Sequence, residues 1–381
     1  MDIYLDNAAT SHPKPQAVLM AVTRAMTELN ANPGRSGHAR ALRGAGVLVD
    51  CREALAKLIG AGDPTDVAFA FNCTDALNLA IKGSLSHGDH VVTTVLEHNS
   101  VLRPLMTLQD QGIVEVTLVA PDPDGFVSPE AIAAEIRGNT RLAVISHASN
   151  VIGAVQPVAA IGQLLRRHGI NYLIDGAQAL GIQPVDVEAL GCDLYAFPGH
   201  KGLLGPQGTG GLFIRKGLAL TTLREGGTGS SSDSMRQPGE RPERYESGTV
   251  NLHGIAGLHA GARYVLDNSL TLRAHERALT DQLMRGLRAI EGVTVYGSPD
   301  PRNRVGVVSF NISDLSSGAV ADALDALGFA VRGGLHCAPG THGWLNTLTR
   351  GAVRASVGHA NTAKEIDQFL ESVTTIARRG L

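Results

Sequence analysis

Between residues 66 and 214 the chain repeats one alternation. Seven short apolar runs, at 67–71, 90–94, 114–119, 142–146, 171–174, 193–197 and 211–214, are separated mostly by amphipathic segments or longer connections. That pattern predicts a βαβ series, with a mostly parallel seven-stranded sheet covered by helices on both faces. Upstream, residues 6–15 are polar and turn-rich, with Pro13 and Pro15, and predict an N-terminal arm. A helix is expected over about 15–29, a loop over 32–38, and a second helix reaching Ile59. In that helix Leu48, Cys51, Leu55, Leu58 and Ile59 share one face, so Cys51 reads as a small core residue.

Beyond the sheet, residues 224–244 are rich in Gly, Ser, Pro and Arg and predict a long loop, mobile or buried against a partner chain. A helix follows over about 255–266, and the domain boundary is placed near it. The remainder is a second αβ pattern: helix 270–290, strands 293–296 and 305–312, helix 318–327, strands 329–332 and 352–356, and helix 362–377. Thr362 with Glu365 three residues on forms a capping box for the last helix. The expected organisation is a large α/β domain over 15–260 and a smaller α+β domain made of 1–14 and 261–381.

At 381 residues the chain exceeds what one core usually fills. The net charge of −3 gives no reason to expect nucleic acid or an anionic membrane as partner. No apolar run approaches the roughly 18 residues of a spanning helix. The first residues carry neither a basic region nor an apolar signal core, so a cytoplasmic protein is expected. Cys51, Cys73, Cys192 and Cys337 lie far apart with no Cys-x-x-Cys pair, which suits a reducing compartment. His87, His90, His336, Cys337 and His342 lack the tight spacing of a structural zinc site, so no metal is expected. Residues 205–211 lack the Gly-Lys-Ser/Thr ending of a phosphate-binding loop.

Ligands in parallel sheets sit at the carboxyl ends of the strands, and the chemistry-bearing residues fall there. After the sixth run comes Gly199-His200-Lys201, and after the fifth Asp175-Gly176-Ala177-Gln178. A half-buried lysine beside a strand end forms imines with carbonyl compounds. An aspartate opposite it suits the ring nitrogen of pyridoxal phosphate. Asn72-Cys73-Thr74 opens a helix whose free amides, with the Thr74 hydroxyl, suit a phosphate, although taken alone the segment reads first as a plain N-cap by Thr74 or Asn72. His98 suits stacking on a flat cofactor or proton transfer, and equally a structural role. Asn150 is placed to bond a ring hydroxyl. In the second domain, Cys337 sits in the loop Arg332-Gly333-Gly334-Leu335-His336-Cys337-Ala338-Pro339-Gly340, where His336 and Arg332 would favour its thiolate. Arg354 suits a substrate carboxylate or a structural salt bridge.

Together these motifs resemble the class V aminotransferase family, within it the cysteine desulfurases, and among those the SUF-type group with its selenocysteine lyase activity. The resemblance runs from Leu5-Asp6-Asn7-Ala8-Ala9-Thr10 to Asn361-Thr362. It implies the fold type I of pyridoxal-5'-phosphate-dependent transferases and a homodimer with shared sites. It also implies conversion of L-cysteine to L-alanine with an enzyme persulfide passed to a sulfur-acceptor protein. L-selenocysteine as substrate, or transamination of another amino acid, are the neighbouring activities. By resemblance Lys201 holds the cofactor covalently, Asp175 pairs with its ring nitrogen and His98 stacks on the ring. Gln178 and Asn150 meet the ring hydroxyl and substrate side. Thr74, the Cys73 amide and His200 hold the phosphate, and Thr249 reaches the phosphate of the neighbouring subunit. Arg354 binds the substrate carboxylate near Arg332, and Cys337 accepts the sulfur. Two positions depart from the group's pattern: Pro198 replaces a phosphate-binding serine, and Gly34 replaces a histidine before Arg35.

Overall fold

A computed structural model of the chain describes residues 3–34 and 36–380; Arg35, beside one of the departures, lies outside them. In chain order the elements are β1 (Ile3–Tyr4), α1 (Gln16–Glu28), α2 (Ala39–Ile59), β2 (Val67–Ala70), α3 (Cys73–Ser84), β3 (Asp89–Thr94), α4 (Asn99–Asp110), β4 (Val114–Val119) and α5 (Pro129–Ala134). There follow β5 (Thr140–Ser146), α6 (Val158–His168), β6 (Asn171–Asp175), α7 (Val187–Leu190), β7 (Leu194–Pro198), β8 (Gly210–Ile214) and α8 (Leu252–Arg288). The chain closes with β9 (Val293–Val295), β10 (Val307–Ile312), α9 (Ser317–Ala326), β11 (Phe329–Ala330), β12 (Arg332–Gly334), α10 (Pro339–Trp344), β13 (Ala352–Ser356) and α11 (Ala363–Arg379).

The large sheet has seven strands in the order β2-β8-β7-β6-β5-β3-β4. Both neighbours of β8 run against it and every other pair is parallel, so β8 is the single reversed strand. The central runs are largely apolar because both faces are covered, while the edge strand β4 leaves Glu115 and Leu118 exposed. Ile145, Tyr172, Ile174, Tyr195 and Phe197 enter one core cluster, while Val144, Leu173, Leu194 and Ala196 enter another. This period of two directs alternate side chains to opposite layers. Cys51 is fully buried on the first of these faces.

A four-stranded antiparallel sheet, β12-β13-β10-β9, has a separate apolar cluster, where Phe310, Val353 and Ala355 meet Leu283, Leu287 and Phe369. The N-terminal segment is tied to this part of the molecule. Ile3 pairs with Phe329 and Tyr4 with Ala330, and Leu5 is fully buried. The cap of α11 is the expected box: the Thr362 side chain accepts from the Glu365 amide while Glu365 accepts from Thr362.

Two expectations are corrected. The helices expected over 255–266 and 270–290 are one continuous helix, α8, of 37 residues. The helix runs through 267–269, where the Asn268 side chain donates back to the Tyr264 carbonyl at 2.9 Å. The strand expected over 329–332 is two strands, with Phe329–Ala330 pairing β1 and Arg332–Gly334 pairing β13. No helix of the described residues is long and apolar enough to cross a membrane.

Candidate active site

The carboxyl ends of β2, β3, β5, β6 and β7 surround a cavity of about 240 Å³. Asp175 ends β6 and Pro198 ends β7, three residues before Lys201; all three line the cavity. Burial lowers the Lys201 pKa, against the opposing pull of Cys73 and Asp175. Its amine makes no hydrogen bond to a described residue. The Asp175 carboxylate accepts from the Ala177 amide at 2.9 Å and from the Cys73 thiol at 3.4 Å. Burial pushes the Cys73 thiol well above its ordinary range, so it remains a donor.

The cap of α3 is Asn72, whose side chain accepts from the Asp75 amide at 2.9 Å. That leaves the amides of Cys73 and Thr74 without a partner among the described residues, at the positive end of a helix dipole. His98 caps α4: its Nδ1 accepts from the Ser100 amide at 3.0 Å. The ring proton of neutral His98 is therefore on Nε2. Burial lowers the His98 pKa. On the opposite rim, Gln178 Nε2 donates to the Ala8 carbonyl at 3.0 Å. His200 is held neutral by burial, with its pKa lowered to about 4, and its Nδ1 is buried without a partner among the described residues.

Arg332, Asn150 and Arg354 also line the cavity. Arg354 is 2% exposed, and its fork is partly occupied. Nη2 pairs with Asp6 at 2.8 Å and Nη1 donates to the Asn150 carbonyl at 3.1 Å, while Nε is buried without a partner. The salt bridge weighed from sequence is thus present, on a residue that also faces the cavity. Asn150 Nδ2 donates to the His336 carbonyl at 2.6 Å.

Cys337 is half-buried and lies at the edge of this group, 3.9 Å from Arg332 Nη2. Its loop is pinned from two sides, because the Cys337 carbonyl accepts from the Asn99 amide at 2.7 Å, next to His98. His336 and Cys337 both adopt positive φ, 50° and 58°, a strained pair for residues bearing side chains. Three residues on, a Cβ at Gly340 would stand 2.3 Å from the Val95 carbonyl, so only glycine lets the loop approach β3 this closely. The expected help of His336 to the thiolate is corrected. Its ring is 3% exposed, Nε2 donates to the Ala352 carbonyl at 3.0 Å, and burial lowers its pKa to about 2. It is neutral, and Arg332 is the cation beside the sulfur.

Thr249 is the predicted residue that lies elsewhere. It lines a separate cleft of about 40 Å³ with Phe71, Gly208 and Arg224. Sequence reasoning missed Glu97. It is fully buried, accepts from Thr94 Oγ1 at 2.7 Å and from the Ser146 amide and hydroxyl at 3.1 and 2.5 Å, and burial raises its pKa to about 7. Its position between a strand end and His98 was visible, but nothing in sequence marked it as buried.

The family profile described as Aminotransferase class-V matches residues 3–369. The chain belongs to the class-V aminotransferase family. Among curated relatives within it, a probable cysteine desulfurase of Methanothermobacter thermautotrophicus is 37% identical over 99% of this chain and 95% of its own. A cysteine desulfurase of Klebsiella pneumoniae is 33% identical over 98% and 93%. The solved apo structure of a cysteine desulfurase from Thermococcus onnurineus superposes with a TM-score of 0.92 at 32% identity, covering 100% of this chain and 95% of that one. The chain is thus an α/β protein of fold type I with a mostly parallel central sheet.

Proposed function

We propose that this class-V chain is a pyridoxal-phosphate-dependent cysteine desulfurase, converting L-cysteine to L-alanine and leaving a persulfide on Cys337 for a sulfur-acceptor protein. The observation that carries the reading is the convergence on one cavity of a buried lysine amine, an aspartate at the adjacent strand end, and a loop bearing a half-buried thiol. The names borne by the relatives agree with it.

The residues present suit the cofactor. Two unpartnered amides at the N-terminus of α3, the Thr74 hydroxyl and the unpartnered His200 Nδ1 suit a phosphate. Pro198 supplies no hydroxyl to it. Asp175 suits a protonated ring nitrogen, His98 the ring face, and Gln178 and Asn150 the ring hydroxyl and substrate side. When bound, pyridoxal phosphate acts as an electron sink for bonds broken at the amino-acid carbons attached to it.

The chain's own groups do the rest. Lys201 Nζ, its charge disfavoured by burial, takes and returns the substrate's α-proton. Arg354 offers its free Nε and remaining N–H groups to the substrate carboxylate. Cys337 Sγ attacks the substrate sulfur: the S–S bond forms as the C–S bond breaks, and the electron pair stays with carbon. His98, with its proton on Nε2, protonates that carbon on the way to alanine. Cysteine and enzyme thiol become alanine and persulfide, with no outside oxidant or reductant.

The lobe of residues 15–260 carries the lysine, and the lobe of 1–14 and 261–381 carries the thiol. The active unit is a homodimer. Leu19, Met20 and Met26 on α1 with Leu42 and Val49 on α2 are large apolar side chains left exposed, which supports a covered face there. Thr249, in its cleft away from its own chain's lysine, is available to a neighbour's phosphate. The four free, separated cysteines suit the cytoplasm. The test is a product assay on cysteine, scoring alanine and protein-bound sulfane sulfur together in the natural chain and in Cys337→Ser. Both products should vanish in the variant; alanine and persulfide at the natural rate would refute the assignment.

A further inference from the structure

Three side chains on the cavity wall form a continuous hydrogen-bonded chain. His98 Nδ1 lies 2.9 Å from Ser100 Oγ, and Ser100 Oγ lies 2.7 Å from Thr74 Oγ1. Thr74 stands where α3 leaves two amides free, and Ser100 is buried at the start of α4. The Ser100 amide, as well as its hydroxyl, reaches His98 Nδ1.

Counting protons gives the chain two settings. Neutral imidazole has one in-plane lone pair, and here the Ser100 amide occupies it. The Ser100 hydroxyl proton is then directed to Thr74 Oγ1, and the Thr74 proton is left for an acceptor in the cavity. When His98 carries two protons, Nδ1 becomes a donor, the amide loses its acceptor, and the ring proton goes to Ser100 Oγ. Every bond then runs one way, from His98 through Ser100 and Thr74 to the acceptor. An anion at Thr74 polarises the chain toward itself and so favours that second setting.

We infer that Ser100 is a positioning residue that couples the anion site at Thr74 to the protonation of His98. An anion on Thr74 raises the share of doubly protonated His98, and protonated His98 tightens the anion by the same factor. The inference rests on the reading that Thr74 faces the cofactor phosphate. Other groups act on His98 without passing through Ser100. Asp175 favours the charged ring; Lys201, Arg332 and Arg354 oppose it, and burial opposes it more than any of them. Glu97, next in the chain, is turned to Thr94 and Ser146. For the proposed reaction the consequence is timing: an empty site holds His98 neutral, and a loaded site readies it to pass a proton from Nε2.

The probe is inorganic phosphate, added to the full chain freed of cofactor. The readout is the His98 titration followed by nuclear magnetic resonance, with the signal assigned by its loss in His98→Gln. In the natural chain phosphate should move the His98 pKa upward. In Ser100→Ala the amide that His98 caps is still present, but the hydroxyl link is gone. There the phosphate-induced shift should fall to half or less, and phosphate affinity at pH 6 should weaken about two- to tenfold, the worth of one hydrogen bond. Ser100→Thr, which returns the hydroxyl, should restore both. Equal shifts in the natural chain and Ser100→Ala overturn the role of Ser100 while leaving the anion site standing. No phosphate binding to the natural chain overturns the anion site and the coupling together.

Discussion

Glu97→Gln probes how the cavity wall is held. Glu97 is fully buried, and every contact to it is a donor: Thr94 Oγ1, the Ser146 amide and the Ser146 hydroxyl. These bonds favour the carboxylate, yet burial outweighs them and raises the pKa from 4.5 to about 7. A carboxyl group with a folded pKa above its unfolded value is stabilising only while protonated. Stability therefore begins to fall as pH rises past the unfolded value and levels off above the folded one. The gap between 4.5 and about 7 corresponds to roughly 3 kcal/mol at pH 8. Glutamine mimics the protonated acid: its oxygen keeps the Thr94 and Ser146 amide bonds, and its NH₂ donates to the Ser146 hydroxyl, which turns to accept. Urea unfolding of both proteins at pH 5, 6, 7 and 8 gives the difference directly. The gap should be about 1 kcal/mol at pH 5 and should grow to roughly 3 kcal/mol in favour of glutamine at pH 8. Glu276, also raised to about 7 by burial, is common to both and cancels. A difference that stays constant from pH 5 to 8 would refute the reasoning.

Other perturbations address the site itself. Gly340→Ala puts a methyl 2.3 Å from the Val95 carbonyl, so the Cys337 loop must withdraw from β3. Persulfide formation should fall at least tenfold while cofactor absorbance is retained; unchanged kinetics would show that the loop's approach is unimportant. Arg354→Lys replaces a planar fork with a point charge while keeping a cation for Asp6. The KM for cysteine should rise about tenfold or more with a smaller change in kcat, and an unaltered KM would remove Arg354 from substrate binding. Lys201→Ala should abolish the visible absorbance of the covalently held cofactor and its trapping by borohydride; trapping that survives would place the attachment on another amine.

Most of the seven strands were legible because they are buried on both faces, which makes their runs largely apolar; the edge strand β4, with Glu115 and Leu118 exposed, was legible from its Val and Leu positions. The residues after the runs were legible for the same reason: a parallel sheet gathers its strand ends on one edge. What escaped depends on partners distant in sequence. The fork of Arg354 is half occupied by Asp6, 348 residues away. His336 is neutralised by burial, against the opposing effect of its bond to the Ala352 carbonyl. The split of the 329–332 strand follows from two different neighbours, β1 and β13. The expected gap between 266 and 270 is closed by helix, with the Asn268 side chain bonded back to the Tyr264 carbonyl. Glu97 escaped because a carboxylate's burial is a property of the layers that close over it.

The central claim, that sulfur leaves cysteine for the thiol at position 337, is tested most directly by mapping where that sulfur goes. Holoprotein exposed to cysteine, digested without reductant and weighed peptide by peptide should carry one extra sulfur atom on the Cys337 peptide. An extra sulfur on the Cys73 peptide instead, or none on any cysteine while alanine accumulates, would contradict the account.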